Sequence, residues 1–187
     1  MTVVVSGAGV GVIICVNAWS AETQQSPTLL SGQITRHHWP SGLLPVTSLG
    51  GVMAAAELLV SVRRRQAAVL VVGDYDADGA TATALVVAAL RGMGFTAVDY
   101  LVPNRFEFGY GFSPGVADLA AARRPAVIIT VDNGVTSIEG VARARARGID
   151  VIVTDHHLAG AELPAASVII NPNLPGEGFP GKALCGV

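Results

Sequence analysis

The sequence predicts an α/β fold with a mainly parallel sheet and helices on both faces. From Leu49 onward, short apolar runs alternate with segments of helical periodicity, and three of the runs are followed within two residues by Asp. Alternating strands and helices favour parallel strands joined by right-handed crossovers, as in Rossmann-like domains. At 187 residues the chain is long enough for one such domain with a sizeable core.

The elements can be predicted in order from periodicity and from residues that begin or end them. The first helix begins near Val52 and ends at the basic cluster Arg63–Arg65, a favourable place for positive charge. Pro114 suits the first turn of a later helix. The pattern predicts strands at 67–72, 98–102, 126–131, 149–153 and 168–170, helices at 79–91, from 114 and at 137–147, and loops at 104–113 and 171–181.

The domain boundary is predicted near residue 42, with an atypical N-terminal segment at 1–42 and the α/β domain at 43–187. The apolar stretch from Val3 to Ala18 is shorter than the ~20 residues that span a bilayer and lacks the positively charged start of a secretory signal. We interpret it as a strand or an atypical leader, and we expect no association with a membrane.

Composition limits the kinds of partner. The chain is 51% hydrophobic and 14% charged, with a net charge of −2, so no overall positive field attracts nucleic acid. A polyanionic substrate must therefore be held by local arginines and metal ions. The two cysteines, Cys15 and Cys185, form neither a metal-binding spacing nor a disulfide framework, which predicts a cytoplasmic location.

Three carboxylates, Asp74, Asp76 and Asp78, stand at alternate positions in the segment from Gly73 to Gly79 that follows the first predicted strand of the sheet. Like charges crowded at a strand end require a neutralising positive charge. In such a loop this is usually a divalent metal, because hard oxygen ligands suit Mg²⁺, Mn²⁺ or Ca²⁺.

The same placement recurs after two other predicted strands. Asp132 follows the third strand, and Asp155, His156 and His157 follow the fourth. In parallel sheets the ligand site lies outside the carboxyl ends of the strands, so these side chains should meet. An Asp-His-His group supplies a metal ligand, an imidazole free to act on substrate and a carboxylate able to orient one ring.

Two other interpretations of the first motif are weaker. An EF-hand loop beginning at Asp74 would need a preceding helix and a Glu at its twelfth position, which is Leu85. A phosphatase of the haloacid dehalogenase type would use Asp76 as nucleophile and a downstream lysine, for which Lys182 is the only candidate. Neither accounts for Asp155-His156-His157. Taken alone, Asp132 would be interpreted as a turn residue, and the His pair could be either a metal site or ordinary structure; the metal site is favoured because the three motifs occur together.

The complete motifs resemble those of the DHH phosphoesterase superfamily. The matching segments are Gly73-Asp-Tyr-Asp-Ala-Asp-Gly-Ala, Val131-Asp-Asn-Gly and Thr154-Asp-His-His. Two further segments narrow the resemblance to RecJ-type single-strand-specific exonucleases: Pro103-Asn-Arg-Phe-Glu-Phe-Gly-Tyr-Gly and Ile169-Ile-Asn-Pro-Asn-Leu. The resemblance extends from about Leu43 to Val187.

The resemblance implies hydrolysis of single-stranded DNA in the 5′→3′ direction, in repair and recombination, with two Mn²⁺ or Mg²⁺ ions. It implies that Asp76 and Asp78 each bind one ion, that Asp132 bridges the pair, and that His156 completes the second ion's ligands. His157 would face the scissile phosphate, and Asp155 would orient a ring. Paired ions stabilise the attacking and leaving oxygens. A single-strand-binding protein and a helicase are partners that the family resemblance suggests.

Substrate contacts are expected from the predicted loop at 104–113. Arg105 resembles the family residue that contacts a substrate phosphate, to which a guanidinium can bind in bidentate fashion. The aromatic residues of the loop are candidates for stacking on bases or for anchoring the loop to the sheet; they are Phe106, Phe108, Tyr110 and Phe112.

The chain departs from the family pattern at two points. Many members have a His where this chain has Val72, and Asp74 is the plausible substitute ligand. The family pattern also continues beyond Val187 to a fourth metal-binding motif and a C-terminal DHHA1-type domain, so a truncated DHH domain is expected. This leaves two interpretations: a hydrolase, or a catalytically incomplete module that binds metal or DNA.

Overall fold

The computed structural model describes residues 2–6, 11–15 and 46–186. The apolar N-terminal stretch contains two strands, β1 (Thr2–Ser6) and β2 (Gly11–Cys15), which pair antiparallel. This agrees with the interpretation of that stretch as strand. The remainder of the predicted segment 1–42 lies outside the described residues.

The main sheet has five strands, all parallel, in the order β4-β3-β5-β6-β7. The α/β class and the parallel sheet predicted from the sequence are therefore confirmed. The strands are β3 (Val69–Val72), β4 (Val98–Leu101), β5 (Val127–Val131), β6 (Asp150–Thr154) and β7 (Val168–Ile170).

Helices connect the strands close to the predicted positions. The helices are α1 (Val52–Arg64), α2 (Ala77–Gly92), α3 (Arg105–Phe108), α4 (Pro114–Ala122) and α5 (Ile138–Arg145), after a 3-10 turn at Val46–Ser48. Helix α2 begins two residues earlier than predicted because the Asp76 side chain accepts a hydrogen bond from Gly79 N and caps it. The single turn α3 was missed; the Asn104 side chain caps it by accepting from Phe106 N.

The sheet is packed on both faces, as the sequence predicts. Alternate strand residues point to opposite sides: Val69 and Val71 pack with α1 and α2, whereas Leu70 and Val72 pack with α4 and α5. All four of these β3 residues are buried. A strand enclosed on both faces must be apolar throughout, which explains the continuous apolar runs in the sequence.

The strand order also determines where a crevice forms. Strand β4 lies next to β3 on one side, and β5 lies next to β3 on the other. The connection that leaves β3 therefore runs towards one edge of the sheet, and the connection that leaves β5 runs towards the opposite edge. The carboxyl ends of β3 and β5 therefore flank a topological switch point, the usual ligand site of such sheets. Residues 73–78 and Asp132 follow these two ends. Among the described residues, no helix combines the length and apolar character needed to cross a membrane.

Candidate metal centre

Asp132 is the central residue of the site and adopts an unusual backbone conformation. Its φ is 61°, in the left-handed region that Asp tolerates better than most residues. Its N–H donates to Thr154 O at 3.0 Å, which holds it against the end of β6. The residue is 4% exposed, and its buried side-chain Oδ1 has no hydrogen-bond partner. A buried carboxylate oxygen without a donor is costly unless a cation neutralises it.

Two histidines from the end of β6 complete a cluster with Asp132. Within the described part of the chain, Asp132, His156 and His157 offer ligand atoms that all lie within 4.8 Å of one another. His156 Nε2 is 3.2 Å from Asp132 Oδ1, and the two imidazole rings have centroids 4.5 Å apart. Carboxylate and imidazole groups converge here as they do at transition-metal sites.

Each histidine ring is oriented by an acceptor at Nδ1. His157 Nδ1 lies 2.7 Å from Asp155 Oδ1, and His156 Nδ1 lies 2.7 Å from Leu184 O. Asp155 is buried and also accepts from Val135 N at 2.8 Å. A donor at Nδ1 leaves Nε2 of each ring free to act as a ligand or to face substrate, the usual arrangement around metal-binding histidines.

The carboxylates that follow β3 are already paired with donors. Asp76 caps α2, and Asp78, in its first turn, accepts from Gly186 N at 3.3 Å. Asp74 is buried and forms an ion pair with Arg105 at 2.5 Å. The predicted ligands Asp74, Asp76 and Asp78 thus lie at the correct sheet edge but outside the three-residue cluster, and their roles as ligands stay predictions.

The charges at this edge influence one another. Burial raises the pKa of Asp132 to about 6; His156 and His157 lower it, and Asp76 and Asp78 raise it. For His157, burial lowers the pKa, but the hydrogen bond to Asp155 and the charges of Asp155 and Asp132 outweigh burial, so the pKa is raised. The site therefore concentrates negative charge that is incompletely neutralised. This charge and the unpaired Asp132 Oδ1 fit a divalent cation.

Arg105 lies beside this edge, between two aromatic rings. Its guanidinium carbon is 4.2 Å from the centroid of the Tyr75 ring and 5.2 Å from that of Tyr110. Its buried Nε has no hydrogen-bond partner. The Asp74 hydrogen bond raises the pKa of Arg105 further, so the group is cationic at every relevant pH. Stacking and the ion pair fix the position of the positive charge.

Sequence reasoning did not find the contact that Tyr110 makes with the cluster. The Tyr110 hydroxyl is 3.5 Å from His157 Nε2 and 3.4 Å from Asp132 O. Burial, together with the charges of Asp155 and Asp132, raises the Tyr110 pKa, so the phenol stays neutral. Among the other aromatics of this loop, Phe112 is fully buried and Phe108 packs on the core, whereas Phe106 is 97% exposed.

Sequence analysis assigned no role to three asparagines within the motifs that carry the family resemblance, and the structure shows that each binds backbone carbonyls. Asn133 Nδ2 donates to Val131 O at 2.8 Å and to Val72 O at 3.4 Å, tying the ends of β3 and β5 together. Asn171 and Asn173 donate to the carbonyls of His157 and His156.

The structure disfavours both rival interpretations of the first motif. Asp74 follows a strand rather than a helix, and Leu85 lies within α2, so no EF-hand loop is formed. The Lys182 ammonium donates to Pro172 O and Glu177 O within the loop that follows β7. It therefore supports that loop rather than neutralising a phosphoryl group at Asp76.

The fold and the site define the class: a parallel α/β domain in which Asp132, His156 and His157 converge at the switch point of the sheet. The pattern of the DHH family, N-terminal domain, matches residues 68–187. The chain belongs to the DHH family.

Within the DHH family, the chain is similar to proteins named RecJ. The chain is 58% identical over 146 residues to the single-stranded-DNA-specific exonuclease RecJ of Escherichia coli (strain K12), covering 78% of this chain and 25% of that protein. It is similar to a crystal structure of exonuclease RecJ bound to manganese, with a TM-score of 0.67 and 34% identity over 76% of this chain and 35% of that one. RecJ from Thermus thermophilus in complex with Mn²⁺ gives a TM-score of 0.61 at 31% identity, over 76% of this chain and 20% of that one. The chain spans a quarter of the length of the Escherichia coli relative.

Proposed function

We propose that this chain forms the N-terminal metal-binding part of a single-stranded-DNA-specific exonuclease that hydrolyses phosphodiesters in the 5′→3′ direction. The observation that carries the proposal is the buried Asp132 Oδ1, which accepts no hydrogen bond and lies beside His156 and His157 at the switch point. Membership of the DHH family and the likeness to manganese-bound RecJ structures support it. The polarity of hydrolysis comes from the RecJ resemblance.

The proposed metal centre uses two divalent ions, Mn²⁺ or Mg²⁺. Asp76 and Asp78 would each hold one ion, Asp132 would bridge the pair, and His156 would complete the second set of ligands. Bound divalent ions supply positive charge that stabilises a phosphodiester under attack and lower the pKa of water. The short distance between Asp132 Oδ1 and His156 Nε2 supports a shared ion. Asp74, held by Arg105, is proposed as an additional ligand.

Other residues would bind and orient the substrate. His157, fixed by Asp155 at Nδ1, would present Nε2 to the scissile phosphate. Arg105 would contact a phosphate of the strand, since its guanidinium stays charged and is positioned by two aromatic rings. The exposed Phe106 and half-exposed Tyr110 are the two loop aromatics available to stack on bases.

A calorimetric titration with Mn²⁺ tests the centre directly, because it does not depend on turnover. We expect Asp132→Ala to weaken Mn²⁺ binding by about 100-fold or more, beyond the 10- to 100-fold typical of residues that only support ligands. Asp118→Ala is a matched control, since Asp118 is a surface residue paired with Arg143 and Arg147. Equal Mn²⁺ affinity in wild type and Asp132→Ala would overturn the proposed ligand set.

A nuclease assay then tests the substrate. With Mn²⁺, the wild-type chain is expected to release mononucleotides from 5′-labelled single strands and to leave duplex DNA intact, and Asp132→Ala to release none. Mn²⁺ and single-strand binding without hydrolysis would instead indicate a binding module. The cytoplasmic location and the partners suggested by resemblance, a single-strand-binding protein and a helicase, stay predictions, as does the division into segments 1–42 and 43–187.

A further inference from the structure

The loop that follows β7 returns to the metal centre at its end. Residues 171–183 leave the sheet edge and come back, so that Leu184, Cys185 and Gly186 lie beside the ends of β5 and β6. We call residues 184–186 the strap. Leu184 O accepts from His156 Nδ1 at 2.7 Å, and Gly186 N donates to Asp78 Oδ2 at 3.3 Å. The strap thus connects a carboxylate after β3 with a histidine after β6.

Gly186 lies directly against the central carboxylate. A Cβ placed on Gly186 would be 1.8 Å from Asp132 Oδ1 and 2.2 Å from Asp132 Cγ. Gly186 is buried, and its φ lies outside the left-handed region, so an alanine is excluded by the Asp132 contact rather than by backbone conformation. A side chain of any size would displace either the strap or the carboxylate.

Several contacts hold the strap in place. Leu184 is 4% exposed and belongs to the same core cluster as Phe179, which is 1% exposed. Lys182 donates to Pro172 O and Glu177 O, and Glu177 in turn accepts from Gly50 N and Phe179 N. The position of the strap is therefore fixed by the packing of Leu184 in the core and by the hydrogen bonds of Lys182 and Glu177 within the preceding loop.

The beginning of the same loop supports the same histidine from the other side. Asn173 Nδ2 donates to His156 O, while Leu184 O accepts from the ring. His156 is consequently held at its backbone by one end of the loop and at its imidazole by the other. An Nδ1–H donor directed at Leu184 O leaves the lone pair of Nε2 facing Asp132.

We propose that the strap is a positioning element of the metal centre. This proposal rests on the proposed function. Leu184 O sets the His156 tautomer, and Gly186, because it has no Cβ, leaves the space that the Asp132 carboxylate occupies. The strap residues do not ligate the metal; they act through His156, Asp132 and Asp78. Metal binding should then depend on a glycine that carries no ligand atom.

The test compares Mn²⁺ titrations of wild type, Gly186→Ala and Gly178→Ala. Gly178 is a matched control from the same loop, because a Cβ there would meet no atom within 4 Å and its φ is not left-handed. We expect Gly186→Ala to weaken Mn²⁺ binding about 10- to 100-fold, as loss of supporting contacts does at other metal sites, and Gly178→Ala to bind as wild type does.

A second measurement needs no variant and so does not depend on Gly186→Ala folding. Long-range ¹H–¹⁵N spectra of the metal-free chain at pH 8 report the tautomer of His156, and we expect the proton on Nδ1. Circular dichroism establishes whether Gly186→Ala retains the fold. A proton on Nε2, or Gly186→Ala binding Mn²⁺ as tightly as wild type or more tightly, would overturn the strap proposal.

The outcomes separate the two proposals. If wild type and Asp132→Ala differ in Mn²⁺ binding but Gly186→Ala matches wild type, the strap proposal fails and the proposed metal centre stands. If wild type itself binds no Mn²⁺, the proposed function fails, and the strap's role in metal binding fails with it. A selective loss in Gly186→Ala supports both.

Discussion

The two halves of the metal centre differ in how their charges are satisfied. In the β3 half, Asp74 is paired with Arg105, Asp76 accepts from Gly79 N, and Asp78 accepts from Gly186 N. In the β5–β6 half, formed by the Asp132 cluster and Asp155, the central Asp132 Oδ1 has no donor although it is buried.

The difference in hydrogen bonding indicates which half of the centre a bound cation would stabilise more. A carboxylate that already has a donor gains less from a cation, because the cation replaces an existing interaction. A buried carboxylate without one gains more, because its desolvation is uncompensated. We therefore expect metal affinity to depend mainly on the β5–β6 half, and the proposed ligands of the β3 half, Asp76 and Asp78, to contribute less to it.

The largest expected effect comes from replacing Asp132 by Asn. Asn has nearly the same shape and tolerates the left-handed backbone, so the fold should persist while the charge is lost. Mn²⁺ at ~100 times its Kd should stabilise wild type by about 2.7 kcal/mol, or roughly 5–10 °C in Tm, and Asp132→Asn hardly at all. Thermal unfolding with and without Mn²⁺ measures both.

Without metal, the same substitution should be stabilising. Wild type must bury an ionised Asp132 at neutral pH, and the variant does not, so we expect Asp132→Asn to be more stable by about 1 kcal/mol. The pKa of Asp132 is raised from 3.8 to about 6, so its destabilising effect is full above pH 6 and absent below its ordinary value. The advantage of Asn should shrink as the pH falls from 6 towards 4.

The groups that face Asp132 set the size of this effect. Asp76 and Asp78 increase the advantage of Asn, whereas His156 and His157 reduce it by stabilising the ionised carboxylate. Asp118→Asn, at an exposed surface ion pair, serves as the control and should leave the response to Mn²⁺ unchanged. A metal-free Asp132→Asn chain less stable than wild type at pH 8 would contradict the assignment of uncompensated charge to this half.

A smaller and more selective effect is expected from Asp155→Asn. Asp155 Oδ1 accepts from His157 Nδ1 and from the backbone N–H groups of His156 and His157. An amide weakens the contact that orients His157, so hydrolysis of single-stranded DNA should slow about 10- to 100-fold. If His157 faces substrate, the Kd for Mn²⁺ should change by less than about threefold.

The two readouts distinguish two roles for His157. Its membership of the 4.8 Å cluster permits it to act as a ligand, whereas the RecJ resemblance implies that it faces the scissile phosphate. A rise in the Mn²⁺ Kd that parallels the loss of hydrolysis would assign His157 to the metal. Circular dichroism of the variant checks that the backbone contacts of Asp155, which is 3% exposed, have not collapsed.

The contrast between the halves also shows what the sequence could predict. Strand positions and the shared edge followed from apolar runs ended by Asp or His, since a buried parallel strand must be apolar and its carboxyl end must carry the polar site. The apolar run at β3 and the cap at Asp76 are local features, so the elements around them were found to within two or three residues.

Contacts that depend on the path of an irregular loop could not be predicted in this way. Leu184 O and Gly186 approach the centre only because residues 171–183 fold back, and no periodicity reports that path. The Arg105–Asp74 pair likewise joins two segments 31 positions apart, so the sequence predicts Asp74 as a ligand without indicating its competing partner. Tyr110 was recognised as an aromatic near substrate, but its hydroxyl contact with His157 was not.

The smallest expected effect belongs to the β3 half. Arg105→Ala removes one fixed positive charge from the substrate side, and we expect affinity for a single-stranded oligonucleotide to fall about 3- to 10-fold at moderate salt. Arg105→Lys should be intermediate, because a lysine keeps the charge but loses the planar group that stacks on Tyr75 and Tyr110. Fluorescence anisotropy with a labelled oligonucleotide measures these affinities.

Metal binding by the same variant tests whether Asp74 is a ligand. Arg123→Ala, which removes a surface arginine paired with Asp99, is the control in both the oligonucleotide and the Mn²⁺ measurements, because it lowers the positive charge by the same amount. If Arg105 only neutralises Asp74, Mn²⁺ affinity should stay within about threefold of wild type, and the variant should lose some stability because Asp74 is left buried and unpaired. A marked gain in Mn²⁺ affinity would instead mean that Arg105 and the metal compete for Asp74, so that the β3 half acquires its full ligand set only when Arg105 moves away. Unchanged oligonucleotide affinity would remove Arg105 from the substrate contacts.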